Sequence, residues 1–166
     1  MLVRAYAVLC IIGVVLLCDC SSSEEELPPL EDKKIEIELL VTAATDAIEK
    51  RGTEMFSELR SSGSEWYYGD TYVFVWGTSG MRVVYPPDTR GEGQDMSALE
   101  DVNGKPIGQL FIEMATTEPY EGWVSYVWPK PGTDAPVEKE TYIMRAEHGD
   151  TTYLVGAGIY LDEYES

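Results

Sequence analysis

Cysteine is missing from most of this chain. Cys10, Cys18 and Cys20 are the only three, all at the N-terminal end. The remainder can build no disulfide framework, no thiolate zinc site and no thiol nucleophile. Histidine is nearly as scarce: His148 stands alone, so imidazole metal sites and Ser-His-Asp chemistry have little to draw on. Positive charge is short too. The chain has 12 Lys and Arg against 30 Asp and Glu, a net charge of −18. Such a surface repels polyanions, which sets nucleic acid aside as a partner. What is present is ordinary for a globular protein: 166 residues, 44% of them hydrophobic and 25% charged. That is enough for one domain with a real core and hardly enough for two.

Residues 1–20 read as a signal or anchor segment. Arg4 supplies a positive start, and Ala5 to Leu17 is uninterrupted apolar or small sequence. The run suits a signal peptide's apolar stretch and falls short of the roughly 20 residues of a spanning helix. Residues 21–29 follow as a polar tether, Ser21-Ser22-Ser23-Glu24-Glu25-Glu26 closed by Pro28-Pro29. The arrangement resembles a lipoprotein signal, which implies lipidation at Cys20 or Cys18. A lipid anchor, an uncleaved helix and free secretion are the readings, in that order.

The domain is expected over residues 30–166. A long amphipathic helix spans 30–61, with apolar residues at Ile37, Leu40, Val41, Ala44, Ile48, Met55, Phe56 and Leu59 at helical spacing. Gly52 marks a kink or break, and the first half continues as a stalk toward the membrane. The β-rich body spans 66–160. Tyr72–Trp76 and Met81–Tyr85 form a hairpin around Gly77-Thr78-Ser79-Gly80. Asp88–Gly104 is a polar excursion without EF-hand spacing. Pro106–Thr116 is a short helix with proline at its first turn. Three strands follow, at Trp123–Trp128, Glu140–Arg145 and Thr152–Tyr160, with a Pro/Gly/Asp loop at 129–136. Gly156-Ala157-Gly158 reads as close backbone packing rather than a nucleotide motif. His148, in a Gly-Asp turn, reads as a surface residue. A helix, two strands, a second helix and three strands give an α+β fold.

The stretch Gly122-Trp123-Val124-Ser125-Tyr126-Val127-Trp128-Pro129 is its most aromatic part. By alternation Tyr126 and Trp128 share one face with Val124, while Trp123 takes the other with Ser125 and Val127. With Gly69–Val75, Asp101–Pro106, Glu138–Tyr142 and Val155–Tyr160, this stretch resembles the single Cache domain, a PAS-like extracytoplasmic sensor domain of prokaryotes. The resemblance covers about Ala43 to Tyr160. It implies a PAS-like antiparallel sheet with a long N-terminal helix and a short helix between strands. It also implies a pocket on the concave sheet face, small organic acids or related metabolites as ligands, and a signalling partner protein. Gly77 and Tyr85 depart from the pattern, which often has an aspartate and a histidine there.

A pocket for a small anion needs a cation and hydroxyl donors in an apolar wall. The candidate ligand-binding residues are Tyr72, Tyr85, Tyr126, Trp128, Lys139 and Tyr142. Lys139 is either the pocket cation or a solvated lysine between Glu138 and Glu140. Arg82 and Arg145 are alternatives, and by alternation from Tyr85 Arg82 belongs on the solvent side. No catalytic residue, metal site or cofactor is expected. The chain ends at Ser166, so the expectation is a sensing or binding module without its own output domain. The alternative is an envelope structural or interaction domain with a degenerate pocket. Replacing Cys18 and Cys20 together by serine should release the protein from the membrane fraction; retention as firm as before would overturn lipidation.

Overall fold

The computed structural model describes residues 29–164. Cys18, Cys20 and most of the expected tether lie outside that range. Helix α1 runs Leu30–Arg51, with Glu31 and Asp32 in its first turn and Lys50 and Arg51 in its last, the charge order a helix dipole favours. Gly52, at φ 58°, ends it. A 3-10 turn (Gly52–Met55) and the short helix α2 (Phe56–Leu59) carry the chain on. A side chain at Gly52 would be strained by this φ, and its Cβ would sit 2.5 Å from the His148 ring. His148 Nδ1 in turn lies 2.9 Å from the Glu49 carbonyl oxygen, while the residue stays exposed as expected.

Strands β1 (Tyr67–Tyr68) and β2 (Thr71–Tyr72) form a small ribbon. Strands β3 (Phe74–Gly77), β4 (Arg82–Val84), β5 (Glu121–Pro129), β6 (Pro136–His148) and β7 (Thr151–Tyr160) form one antiparallel sheet in the order β4-β3-β7-β6-β5. Helix α3 (Ile107–Thr116) and the chain before it cover one face. Helix α1 covers the other, burying Ile37, Val41, Ala44 and Ile48 against Val73, Val75, Val155, Ala157 and Ile159. The α+β architecture expected from the sequence is the one observed.

Three local expectations change. The first half of α1 is no free stalk. Ile37 and Val41 are fully buried, Lys34 pairs with Glu140 at 2.6 Å, and Glu38 accepts a hydrogen bond from Trp123 Nε1 at 2.8 Å. Strand β6 begins at Pro136 rather than Glu140, because Val137, Glu138 and Lys139 already pair with Trp128, Val127 and Tyr126. Charged side chains alternating along a strand read as loop in the sequence. Finally, β4 is irregular: Val75 pairs with Val84 but Trp76 pairs with Arg82, so an extra residue sits in β4. Such a β-bulge shifts the alternation by one.

Ile35 and Ile37 test how α1 docks. Ile35 is 55% exposed and Ile37 is 0% exposed. Ile37→Ala should cost about 2–4 kcal/mol in denaturant unfolding, whereas Ile35→Ala should stay within about 0.5 kcal/mol.

Candidate functional site

The sheet face under α3 is a wall of rings. Phe74 and Trp76 rise from β3, Tyr126 from β5 and Phe111 from α3, with Phe111 5.7, 5.4 and 5.4 Å from them, centroid to centroid. Tyr126 meets Trp128 at 6.2 Å, and Tyr72 meets Tyr85 edge-on at 5.8 Å. These six-ångström steps are ordinary aromatic packing. Between the rings and the loop side chain Leu99 lies a cavity of about 20 Å³, room for about one water. Tyr72, Tyr85, Tyr126 and Trp128 all line it.

Among the described residues, its one charged lining residue is Arg82. The expectation that Arg82 faces solvent is overturned: it is 7% exposed and stacks on Tyr85, with Cζ 4.2 Å from the ring centroid. The β4 bulge is the reason. It places Arg82 on the same face as Trp76 instead of the opposite one. Gly91 gives the guanidinium space, since a Cβ there would lie 2.8 Å from Nη1. Among the described residues Arg82 forms no ion pair, and its buried Nε has no hydrogen-bond partner. Burial pulls its pKa down, and the neighbouring Tyr85, Tyr72 and Asp88 oppose that pull.

Lys139 is not a solvated lysine. It is 1% exposed, and Nζ donates to Tyr72 Oη at 3.0 Å and Tyr160 Oη at 3.1 Å. It lies behind the Tyr72 ring rather than on the cavity wall. Tyr142 and Arg145 are elsewhere. Tyr142 alternates to the α1 face of β6 and packs on Trp123 at 5.4 Å, and Arg145 stacks on Tyr120 at 4.5 Å. Burial drives the hydroxyl pKa of Tyr72 and Tyr126 well up, so both remain protonated donors. Among the described residues no group of three His, Cys, Asp or Glu could hold a metal.

Sequence reasoning missed Phe74, Trp76 and Phe111, and it named Arg82 only as an alternative cation turned to solvent. The rings were within reach: Tyr72, Phe74 and Trp76 alternate, and Ile107 and Phe111 are one helical turn apart. Arg82 was hidden by the bulge.

Asp101 holds the loop over this face. Its carboxylate accepts from the N–H groups of Asn103 at 2.8 Å, Lys105 at 2.9 Å and, on strand β5, Val127 at 3.1 Å. Burial raises its pKa, but these three donors prevail and hold it below the usual value. A carboxyl with a depressed folded pKa stabilises the fold above its unfolded pKa, and that contribution is lost as pH falls through the folded one. Asp101→Asn should therefore lower stability by about 1–2 kcal/mol at neutral pH, and the gap from wild type should close in acid melts.

The geometry has counterparts. The model of the family described as single Cache domain 2 matches residues 38–166. Methyl-accepting chemotaxis protein McpP of Pseudomonas putida is 25% identical over 130 residues, 78% of this chain and 22% of that protein. Sensor histidine kinase MctS of Rhizobium johnstonii is 31% identical over 98 residues, 58% of this chain and 20% of that protein. The chain thus spans about a fifth of the length of these relatives. A solved periplasmic sensor domain of a chemotaxis protein superposes with a TM-score of 0.66 at 28% identity, covering 80% of this chain and 98% of that one. A Cache chemosensory domain, solved in a study of carboxylic acid recognition, gives a TM-score of 0.65 at 21% identity over 80% of this chain and 96% of its own; at that identity the likeness is one of fold. These matches and the observed architecture agree: the chain belongs to the single Cache domain 2 family of extracytoplasmic sensor domains.

Proposed function

We propose that this domain senses a small monocarboxylate, bound in the cavity under α3 by Arg82. One observation carries the reading: a buried guanidinium, with no ion pair among the described residues, borders a ring-lined cavity. A buried cation without a counterion is costly, and an anionic ligand would supply one. Arginine presents a planar fork that a carboxylate fills with two parallel bonds. Tyr72, Tyr85 and Tyr126 border the same space, and Phe74, Trp76 and Phe111 offer an apolar wall to a short carbon tail. Among the described residues no aspartate or glutamate lines the cavity, so the α-ammonium of an amino acid would find no charged partner in them. Recognition of carboxylic acids by a related fold is consistent with this choice.

Two further parts belong to the same proposal. The N-terminal segment tethers the domain at the membrane through Cys20 or Cys18, and the bound state is read by a partner protein. The kinship to a chemotaxis receptor and a sensor kinase supports signalling as the output. A second reading is an interaction domain whose pocket is filled by its own rings; the cavity's 20 Å³ favours it. A carboxylate larger than one water enters only if the rings or the 85–99 segment yield.

A thermal-shift screen of the purified full chain against acetate, propionate and pyruvate, with amino acids alongside, separates the two. A ligand at 100 times its Kd stabilises by about 2.7 kcal/mol, so a true ligand raises the melting midpoint by several degrees. The gain should vanish in Arg82→Ala and be absent with amino acids. A flat response to every carboxylate favours the interaction reading.

A further inference from the structure

Arg82 has no counterion among the described residues, although the segment packed beside it is acidic. That segment pairs with β4 through its backbone. The Arg82 N–H donates to the Gln94 carbonyl at 2.9 Å, and the Gly93 N–H donates to the Arg82 carbonyl at 2.8 Å. Residues 85–99 carry three carboxylates, Asp88, Glu92 and Asp95. Each is engaged away from Arg82. Asp88 pairs with Arg90 at 2.8 Å. Asp95 accepts from the Ser97 N–H at 2.9 Å. Glu92 accepts from Arg60 Nε at 2.9 Å, from Arg60 Nη2 at 2.8 Å and from the Tyr85 N–H at 2.9 Å.

Glu92 is the one set beside the guanidinium by its neighbours. Gly91 lies against Arg82, where a Cβ would be 2.8 Å from Nη1. The N–H that Glu92 holds belongs to Tyr85, whose ring stacks on Arg82. Arg60, just past the end of α2, draws the Glu92 side chain the other way. Arg60 is itself anchored, with Nη1 donating to the Phe56 carbonyl at 3.0 Å and Nη2 to the Val83 carbonyl at 3.1 Å. It does not line the cavity.

We propose that Arg60 is a positioning residue for the anion site: by holding Glu92 it keeps the chain's own carboxylate from becoming the counterion of Arg82, and leaves that place to a ligand. This inference rests on the reading of the cavity as a carboxylate site and adds what keeps the site from closing on an internal acid. A buried guanidinium without a counterion and a carboxylate mostly withdrawn from water each gain by pairing. Arg60 meets the need of Glu92 with two bonds from one guanidinium, a strong geometry for this pair of groups. Burial raises the Glu92 pKa, but the donors from Arg60 and Tyr85 prevail and hold it below the usual value, so Glu92 is charged at neutral pH. Without Arg60 that charge remains and loses its partner. Turned to Arg82, it takes the position an incoming acid needs. A glutamine at the same place carries no charge to offer.

Calorimetric titration of the full chain with acetate and propionate, at one pH and one salt concentration, compares the unaltered protein with Arg60→Gln, Glu92→Gln and the double variant. Melting curves establish that each is folded, and Arg60→Met replaces Arg60→Gln if the latter does not fold. An internal carboxylate that holds Arg82 about nine-tenths of the time weakens Kd about tenfold, the loss expected in Arg60→Gln. Glu92→Gln alone should stay within about twofold of the unaltered protein, because the amide oxygen still accepts from Arg60 and Tyr85. The double variant should return to that level. In ligand-free Arg60→Gln the Arg82 Nε–H resonance, assigned with Arg82→Lys, should move toward its acetate-bound position, and it should move back in the double variant. An unchanged affinity in Arg60→Gln, or an Arg82 resonance that does not move, overturns the inference. So does a double variant as weak as Arg60→Gln, which would show Arg60 only bracing the segment. Each of these results leaves the anion site standing. No binding of either acid by the unaltered protein removes the carboxylate reading and this inference with it.

Discussion

Strand β7 has no face left for water. From Tyr153 to Tyr160 every residue is buried, with Tyr153, Val155, Ala157 and Ile159 turned to α1 and Leu154 turned to the rings under α3. A strand buried on both sides reads as a continuous apolar run, and its neighbours β3 and β6 must fit against it without collision. The two glycines on its ring face make this possible. At Gly156 a Cβ would lie 2.6 Å from Phe74 Cζ, and at Gly158 it would crowd the Lys139 stem. The central strand thus gives up its own side chains so that those of adjacent strands can cross it. The cavity and the buried amine both follow from that exchange.

The two faces of the sheet are built from different chemistry. The α1 face is largely aliphatic under the helix, with Phe56, Trp66 and Tyr153 completing it and a hydrogen bond from Trp123 to Glu38 beside it. The α3 face carries rings, hydroxyls and two buried cations. Burying a charge unpaired is among the most costly arrangements a fold can contain. Here ring faces and tyrosine oxygens stand in for carboxylates around Arg82 and Lys139. In a chain with 30 acidic residues, none of the described ones stands on the cavity wall.

The loops over the cavity are fixed to the framework by charge. Glu92 accepts from Arg60 Nη2 at 2.8 Å and from the Tyr85 N–H at 2.9 Å, joining the end of α2 to the segment beside Arg82. Asp101 does the same on the far side by capturing Val127 of the edge strand β5. These contacts place the lid over the rings without any regular element of its own.

Much of this was legible in the sequence. The spacing of Ile37, Val41, Ala44 and Ile48 defined the buried stripe of α1, Gly52 marked a kink or break in the helix expected over 30–61 and is where α1 ends, and alternation put Tyr126 and Trp128 on one face and Trp123 on the other. These patterns are local, set by helical and strand periods that depend only on neighbouring residues. What the sequence could not determine was where long-range pairing breaks the period. One extra residue in β4 turned Arg82 from solvent to cavity, and the register of β6 between β5 and β7 drew Lys139 out of an acidic, solvent-like context into the core. Periodicity fixes which residues share a face; only the packed sheet decided which face received the charge, because bulges and register are selected by contacts between strands far apart in the chain.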